Sequence, residues 1–363
     1  MDDQIEKVSD YLNDLFGKPA EVIRIIPLGA EPGETELKGF GYGKPYLIDF
    51  ICEGEQRSAV LSSMRVQKGF GHDHFSDRAA IMLWQNATFN VLPRHVRSLD
   101  VGYFTKYGRL KSAGDADEFF ILMDRVSGIE YYRDLDRIAE AGFFGHLDLD
   151  RAKALSDNLV YIHQQKHDDR TLWDRRIREL VGSGECIMGL VDSYPEDFEF
   201  YGRDRFERLE KECVRWRWKL KPKYHRLSVV HGDYHPWNIM FRNGIDYTLL
   251  DRSRGEYGEP ADDVSCLSLN YLFYSLRKYG RLKGEFKQLY DTFMENYLLQ
   301  SGDFEMLTLI QPFYVFRALV VASPIWYPGL TPEVRTKLFN FIDNVIAAEE
   351  FDYKNVNQYL QER

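Results

Sequence analysis

The sequence predicts an α+β fold in two lobes, a small β-rich lobe over residues 1–123 and a larger, mainly helical lobe over residues 124–363. Three observations carry this. Apolar, β-branched runs separated by glycine and acidic turns fill the first third of the chain. After Met123 the apolar residues recur at helical spacing. Within that helical part, two short apolar runs at 239–241 and 248–250 flank the turn Arg242-Asn243-Gly244, which reads as an isolated hairpin.

Each element follows in order. Ile5, Val8, Leu12 and Leu15 stand at helical spacing over residues 4–16, and Gly17 ends the helix. Residues 21–28 read as a strand, and 29–44 as a glycine-rich loop or loose hairpin. Residues 46–52 and 58–65 read as two more strands joined by Glu53-Gly54-Glu55. Gly69-Phe70-Gly71 connects into a helix over 75–89, which makes the first lobe a sheet plus one packed helix. The run F-F-I-L-M at 119–123 reads as its last strand. Late in the chain, residues 309–330 are strongly apolar but contain Gln311, Arg317 and three prolines, so they read as a buried helix or helix pair and not a membrane span. No internal repeat or low-complexity segment is visible.

Composition bounds the function. Hydrophobic content of 44% and charged content of 29% are those of an ordinary globular protein. A net charge of −10 argues against a nucleic-acid partner, which a basic face would recognise. The aromatic and basic run Trp216-Arg217-Trp218-Lys219 sits in a segment of balanced charge and reads as a solvated helix face. Four cysteines without a C-x-x-C pair, and an acidic start without an apolar leader, predict reduced thiols and a cytoplasmic location, with no membrane association.

The chemistry is concentrated in V-V-H-G-D-Y-H-P-W-N-I-M-F, residues 229–241. Asn238 stands five residues after Asp233, and the second run of the hairpin ends on Asp251. Phosphoryl transfer asks little covalent work of a protein; it asks for positioning and charge neutralisation around a polyphosphate. In this layout Asp233 is the catalytic carboxylate that accepts the proton of an attacking hydroxyl. Asn238 and Asp251 are the ligands of a hard cation such as Mg²⁺, which favours oxygen donors and retains water. The predicted cofactors are ATP and Mg, and the partner is a small molecule with a hydroxyl group.

H-G-D-Y-H-P-W-N-I resembles the catalytic loop of the aminoglycoside phosphotransferase and choline kinase superfamily, and 249–264, L-L-D-R-S-R-G-E-Y-G-E-P-A-D-D-V, is similar to its metal loop and the G-x-P-x-x-D that follows. The resemblance implies a protein-kinase-like fold and transfer of phosphate to small-molecule hydroxyls. It implies supporting roles for His231 and Asp263, the latter as a brace for the metal loop. It also implies that Gly39, Gly41 and Gly43 cover the nucleotide phosphates, although turn glycines are an equal reading. The α/β-phosphates would be held from the third strand, where Arg65 replaces the usual Lys and brings a planar fork in place of a point charge. Its partner acid on the next helix would be Asp77, which equally suits a helix first turn. Met123, Asp124 and Val126 would line the adenine at a hinge. His72-Asp73-His74 and the pair His163/His167 lack a third ligand and do not read as a transition-metal site.

Gly232 stands where protein kinases carry an Arg, and Gly258 follows Asp251 after only seven positions, which leaves no room for a long regulatory loop. A small-molecule kinase is therefore expected. The segment 166–225, on the expected substrate side, holds 14 Lys and Arg against 13 Asp and Glu, which gives no support to a polycationic antibiotic. Sugars, amino alcohols, nucleosides and hydroxy amino acids remain open. The competing reading is a nucleotide-binding regulatory protein with this fold and little transfer activity.

Overall fold

The computed structural model describes residues 2–28, 43–66 and 71–362. Gly39 and Gly41 of the glycine-rich segment, and Gly69 of the later run, lie outside the described residues. The fold class is α+β, and the chain divides into two compact units, Met1–Met123 and Asp124–Arg363.

In the first unit, helix α1 (Asp2–Phe16) precedes an antiparallel sheet of β1 (Ala20–Pro27), β2 (Gly43–Cys52) and β3 (Glu55–Met64), in that order. Glu53 and Gly54 turn β2 into β3 with φ of 55° and 76°. Two left-handed residues are what a two-residue hairpin needs to match the strand twist, so this turn sets the register Cys52↔Glu55. Val8 and Leu12 from α1 pack with Ala20, Val22, Ile48, Phe50 and Cys52 as the buried core of the unit. The helix that covers the sheet is thus α1. Helix α2 (Phe75–Phe89), predicted at those bounds, buries none of its side chains. The strand β2 begins at Gly43, so Gly43 and Lys44 belong to the ladder and not to the expected loop. A short hairpin, β4 (Gly102–Phe104) with β5 (Leu110–Ser112), follows.

The expected strand at 119–123 does not form. Phe120 and Leu122 are each 91% exposed, and the segment has no ladder partner among the described residues. An apolar run becomes a strand only where a neighbouring edge pairs its backbone, and sequence alone does not show whether one is offered.

The second unit starts with β6 (Ile129–Glu130), then α3 (Tyr131–Ala141), α4 (His146–His163), α5 (Arg170–Gly182), α6 (Ile187–Asp192) and α7 (Arg203–Leu220). Four short strands follow: β7 (Ser228–Val229), β8 (Ile239–Phe241), β9 (Tyr247–Leu249) and β10 (Tyr257–Gly258). Strand β8 lies between β6 and β9, and β7 pairs with β10. The last helices are α8 (Pro260–Tyr279), α9 (Gly284–Ser301), α10 (Gln311–Ala322) and α11 (Pro332–Ile346). Helix α8 is the centre of the core, with Val264, Leu267, Leu269, Tyr271, Leu272 and Phe273 essentially inaccessible. Its start is well specified: Glu259 caps the Ala261 N–H at 3.3 Å, and Pro260 occupies the first turn, where its missing donor costs nothing. Gly280, at φ 67°, ends it in the left-handed cap that glycine favours. The apolar run at 309–330 supplies one buried helix, α10. No helix among the described residues is long and apolar enough to cross a membrane.

Candidate active site

The hairpin β8–β9 brings the sequence motif together. Ile239 pairs with Leu249, and the Leu250 N–H donates to the Asn238 carbonyl at 2.8 Å, so the ladder runs right up to Asp251. The turn is longer than the three residues expected, because the Arg242 N–H bonds the Asp246 carbonyl at 2.8 Å. Asp251 has φ of 52°, an uncommon conformation for a residue with a Cβ, though Asp tolerates it better than most. Its Oδ1 accepts from the Ser253 N–H at 3.2 Å, and the side chain is exposed.

Asp233 is held from three sides. Its Oδ1 accepts from Arg317 Nη1 at 2.6 Å, and its Oδ2 lies 3.3 Å from His235 Nε2 and 3.4 Å from Asn238 Nδ2. Burial pushes the Asp233 carboxyl up; the His235 contact and the Arg317 charge outweigh it and hold the group well below the usual carboxylate range. The side chain is therefore ionised at neutral pH.

Arg317 comes from α10 and is 6% exposed. Its Nη2 donates to the Gly232 carbonyl at 2.7 Å and to Asp262 Oδ1 at 2.6 Å. One guanidinium therefore joins the catalytic loop to the first turn of α8, in the fork geometry that suits Arg and not Lys. The sequence reading missed this residue, although an Arg inside an apolar helix is the signal that a buried acid faces it.

Asp263 is fully buried, and its carboxylate clamps the catalytic loop: Oδ2 accepts from the His231 N–H and Oδ1 from the Gly232 N–H, each at 2.7 Å. It braces that loop, and not the metal loop as the resemblance implied. His163, at the end of α4, lies 3.1 Å from Asp263 Oδ2 through Nε2 and 2.9 Å from the Tyr297 hydroxyl through Nδ1. His167 stacks on Tyr257 at 4.2 Å. The pair thus has structural partners. Burial raises the Asp263 carboxyl, while the His163 hydrogen bond and charge pull it further down, for a net depression. His231 accepts from the Asp233 N–H at 3.3 Å, and burial keeps its ring below the ordinary histidine value. The metal loop has its own tie: Arg252 donates from Nε and Nη2 to the Val230 carbonyl at 2.9 and 2.8 Å.

The donor set at Asn238 and Asp251 fits a hard cation. Asn238 Nδ2 donates to the Asp233 carbonyl at 3.1 Å, which leaves its Oδ1 available to a cation, and Asp251 would add a full charge. No cluster of three or more His, Cys, Asp or Glu forms a metal site among the described residues. A cation here would complete its shell with water and phosphate oxygens, the habit of Mg²⁺.

The other predicted residues are less tightly placed. Arg65 is exposed and follows the end of β3 by one residue. Asp77 accepts from the His74 N–H at 3.0 Å, so it caps α2. Met123 and Asp124 are exposed and Val126 is half-buried, outside any strand. A cavity of about 410 Å³ in the first unit, between α1 and the sheet, contains none of these residues in its wall.

Residues 107–276 match the model of the phosphotransferase enzyme family. No curated protein matches the chain. Among solved structures, the chain is similar to an ethanolamine kinase of Plasmodium vivax at 14% identity, over 96% of this chain and 82% of that one, with a TM-score of 0.34. An amicoumacin kinase in complex with AMP-PNP and Ca²⁺ is 15% identical over 89% and 90% of the two chains, with a TM-score of 0.40. An aminoglycoside phosphotransferase from Streptomyces rimosus, in complex with ADP and streptomycin, is 14% identical over 52% and 67%, with a TM-score of 0.33. The family resemblance read from the two loops is borne out by the family model: Asp233, Asn238, Asp251 and Asp263 all lie within the segment that matches the phosphotransferase enzyme family.

Proposed function

We propose that this protein transfers the γ-phosphoryl group of Mg-ATP to a hydroxyl of a small molecule. The observation that carries the reading is the meeting of three functions in one short span. A buffered, ionised Asp233 stands beside Asn238, and the β8–β9 ladder delivers Asp251 next to that Asn. Mg²⁺ held by Asn238 and Asp251 would neutralise charge on the phosphates.

The acceptor oxygen attacks the γ-phosphorus while the bond to the β-phosphate oxygen breaks, and ADP leaves with the electron pair. Asp233 orients the acceptor O–H through the carboxylate and takes its proton. His235 and Arg317 hold this carboxylate ionised and in place, so that it can orient the acceptor as well as accept its proton. A loose transition state asks for little more. Arg317 and Asp263 keep the loop that carries Asp233 in one conformation. The seven-position step from Asp251 to Gly258 supports activity without a phosphorylated regulatory loop.

The test is ADP production from Mg-ATP with a panel of sugars, amino alcohols, nucleosides, hydroxy acids and aminoglycosides. Acceptor-dependent turnover supports the reading. Mg-ATP binding without turnover on any acceptor would instead favour the regulatory reading.

A further inference from the structure

The wall of a second cavity, of about 250 Å³, includes Gly232 of the catalytic loop, Ser253 and Arg254 of the metal loop, and Asp262. Helices α5 and α10, with Ser183, Glu185 and Cys186 between α5 and α6, complete much of the rest. Asp262 shares Arg317 with Asp233, so the cavity adjoins the catalytic carboxylate through one guanidinium. Its volume falls below the usual span of ligand pockets, about 300–1,000 Å³. That suits a compact acceptor and not a multi-ring antibiotic.

Most charges in this wall are paired. Glu179 accepts from Arg175 Nε at 2.6 Å and from Arg176 Nη1 at 2.9 Å. Glu259 is held by Arg226, and Asp262 by Arg317. Glu185 is exposed. Arg254 differs from the other arginines. It is half-buried, its Nη1 donates only to the Cys186 sulfur at 3.2 Å, and its guanidinium lies 4.8 Å from the centre of the Phe316 ring. Among the described residues no carboxylate is within ion-pair distance of it. A guanidinium carries five donors and a charge that it cannot shed. A thiol and a phenyl face leave most of that capacity unfilled, and the fork matches a carboxylate or phosphate.

The position of Arg254 is fixed by the catalytic loop itself. Gly232 has φ of 86°, and a Cβ built there would stand 3.0 Å from the Arg254 Cβ. The loop backbone thus packs directly on the Arg254 stem, one residue before Asp233.

From this cavity and a cation with no ion pair among the described residues we infer that the acceptor carries an oxyanion, a carboxylate or a phosphate, which Arg254 binds while its hydroxyl reaches Asp233. The inference rests on the phosphotransfer reading and narrows its substrate class to hydroxy acids and phosphorylated alcohols.

Two measurements test it on the 363-residue chain. In the first, inorganic phosphate is titrated calorimetrically into protein saturated with Mg-AMP-PNP, for wild type, Arg254→Met and Arg254→Lys. Binding to wild type that weakens by about 10- to 100-fold in Arg254→Met, the worth of one charge-assisted contact, supports the site, with partial recovery in Arg254→Lys. Equal binding to all three, or none to wild type, overturns it.

In the second, turnover is compared across hydroxycarboxylates, phosphorylated alcohols, neutral polyols and cationic amino alcohols. Turnover of either anionic class, with KM raised in Arg254→Met far more than kcat is lowered, supports the inference and separates carboxylate from phosphate. Turnover confined to neutral or cationic acceptors overturns it and leaves phosphotransfer standing. So does an Arg254→Met variant that loses Mg-ATP affinity but keeps its acceptor KM. Arg254-dependent phosphate binding with no acceptor turned over would leave the anion site standing and sink the phosphotransfer reading.

Discussion

Arg317 Nη1 and Asp233 Oδ1 are 2.6 Å apart although 84 residues separate them in sequence. The same guanidinium holds Asp262 and the Gly232 carbonyl. A helix late in the chain therefore holds the candidate catalytic residue in place and, with His235, keeps it ionised. Fixing it costs the burial of a cation, which two carboxylates and a carbonyl offset.

Removing one member of such a network is expensive because the two carboxylates left behind, 19% and 20% exposed, are only partly solvated. Arg317→Met is expected to lower unfolding free energy by about 3–5 kcal/mol. Arg317→Lys keeps the charge but not the fork, and should recover only part of the loss. Urea denaturation of the three proteins measures this, and a change below about 1 kcal/mol in Arg317→Met, the range of an exposed pair, would mean that the network adds little.

The pH dependence follows from the sign of the Asp233 shift. Its folded value is depressed below the ordinary Asp value of about 3.9, so its contribution to stability is complete above about pH 4. It is lost only as pH falls through the folded value. The stability gap between wild type and Asp233→Asn should thus stay constant from neutral pH down to the ordinary carboxylate range, and shrink below it. A gap that closes on the way from neutrality to about pH 5 would contradict the depressed value.

Asp263→Asn tests the clamp. Each carboxylate oxygen accepts one backbone N–H, so an amide must turn an NH₂ toward a donor on at least one side. The expected loss is about 1.5–3 kcal/mol, the value of one charge-assisted hydrogen bond, with faster hydrogen exchange at the His231 and Gly232 amides. Unchanged exchange there would mean that other contacts hold the loop.

Asp251→Ala should abolish metal-dependent turnover and the thermal stabilisation that Mg-ATP confers, since bound ligand stabilises the folded state by mass action. Thermal melts with and without Mg²⁺ and nucleotide check this. A variant that Mg-ATP still stabilises as it does wild type would place the cation elsewhere.

Sequence showed what is local. The hairpin, Asp233, Asn238 and Asp251 fall within 19 residues, and two short apolar runs with a turn between them suffice to bring them together. The Arg317 contact is not local, and its trace in the sequence is a single Arg in the apolar run at 309–330, a position that speaks against a membrane span without showing which acid it meets. Asp263 was found, but its target was not, because the carboxylate reaches back over 31 and 32 residues to the catalytic loop. The first unit was harder. Its turn residues placed β2 and β3 to within a few positions, yet the apolar pattern of 119–123 says nothing about a partner edge. Asp77 satisfied the rules for a helix cap and an ion pair equally, and its cap to the His74 N–H is the contact described.

The most direct test of the account is Asp233→Asn, measured for both turnover and Mg-ATP affinity. Asn keeps an oxygen for Arg317 and the shape of the side chain, but loses the charge and the proton acceptor. The account predicts that kcat falls by roughly 10²–10⁴ while Mg-ATP affinity and acceptor KM change much less, because the loss lies in the transfer step. An Asp233→Asn protein with near-normal kcat, or one whose defect is confined to Mg-ATP binding, would contradict it.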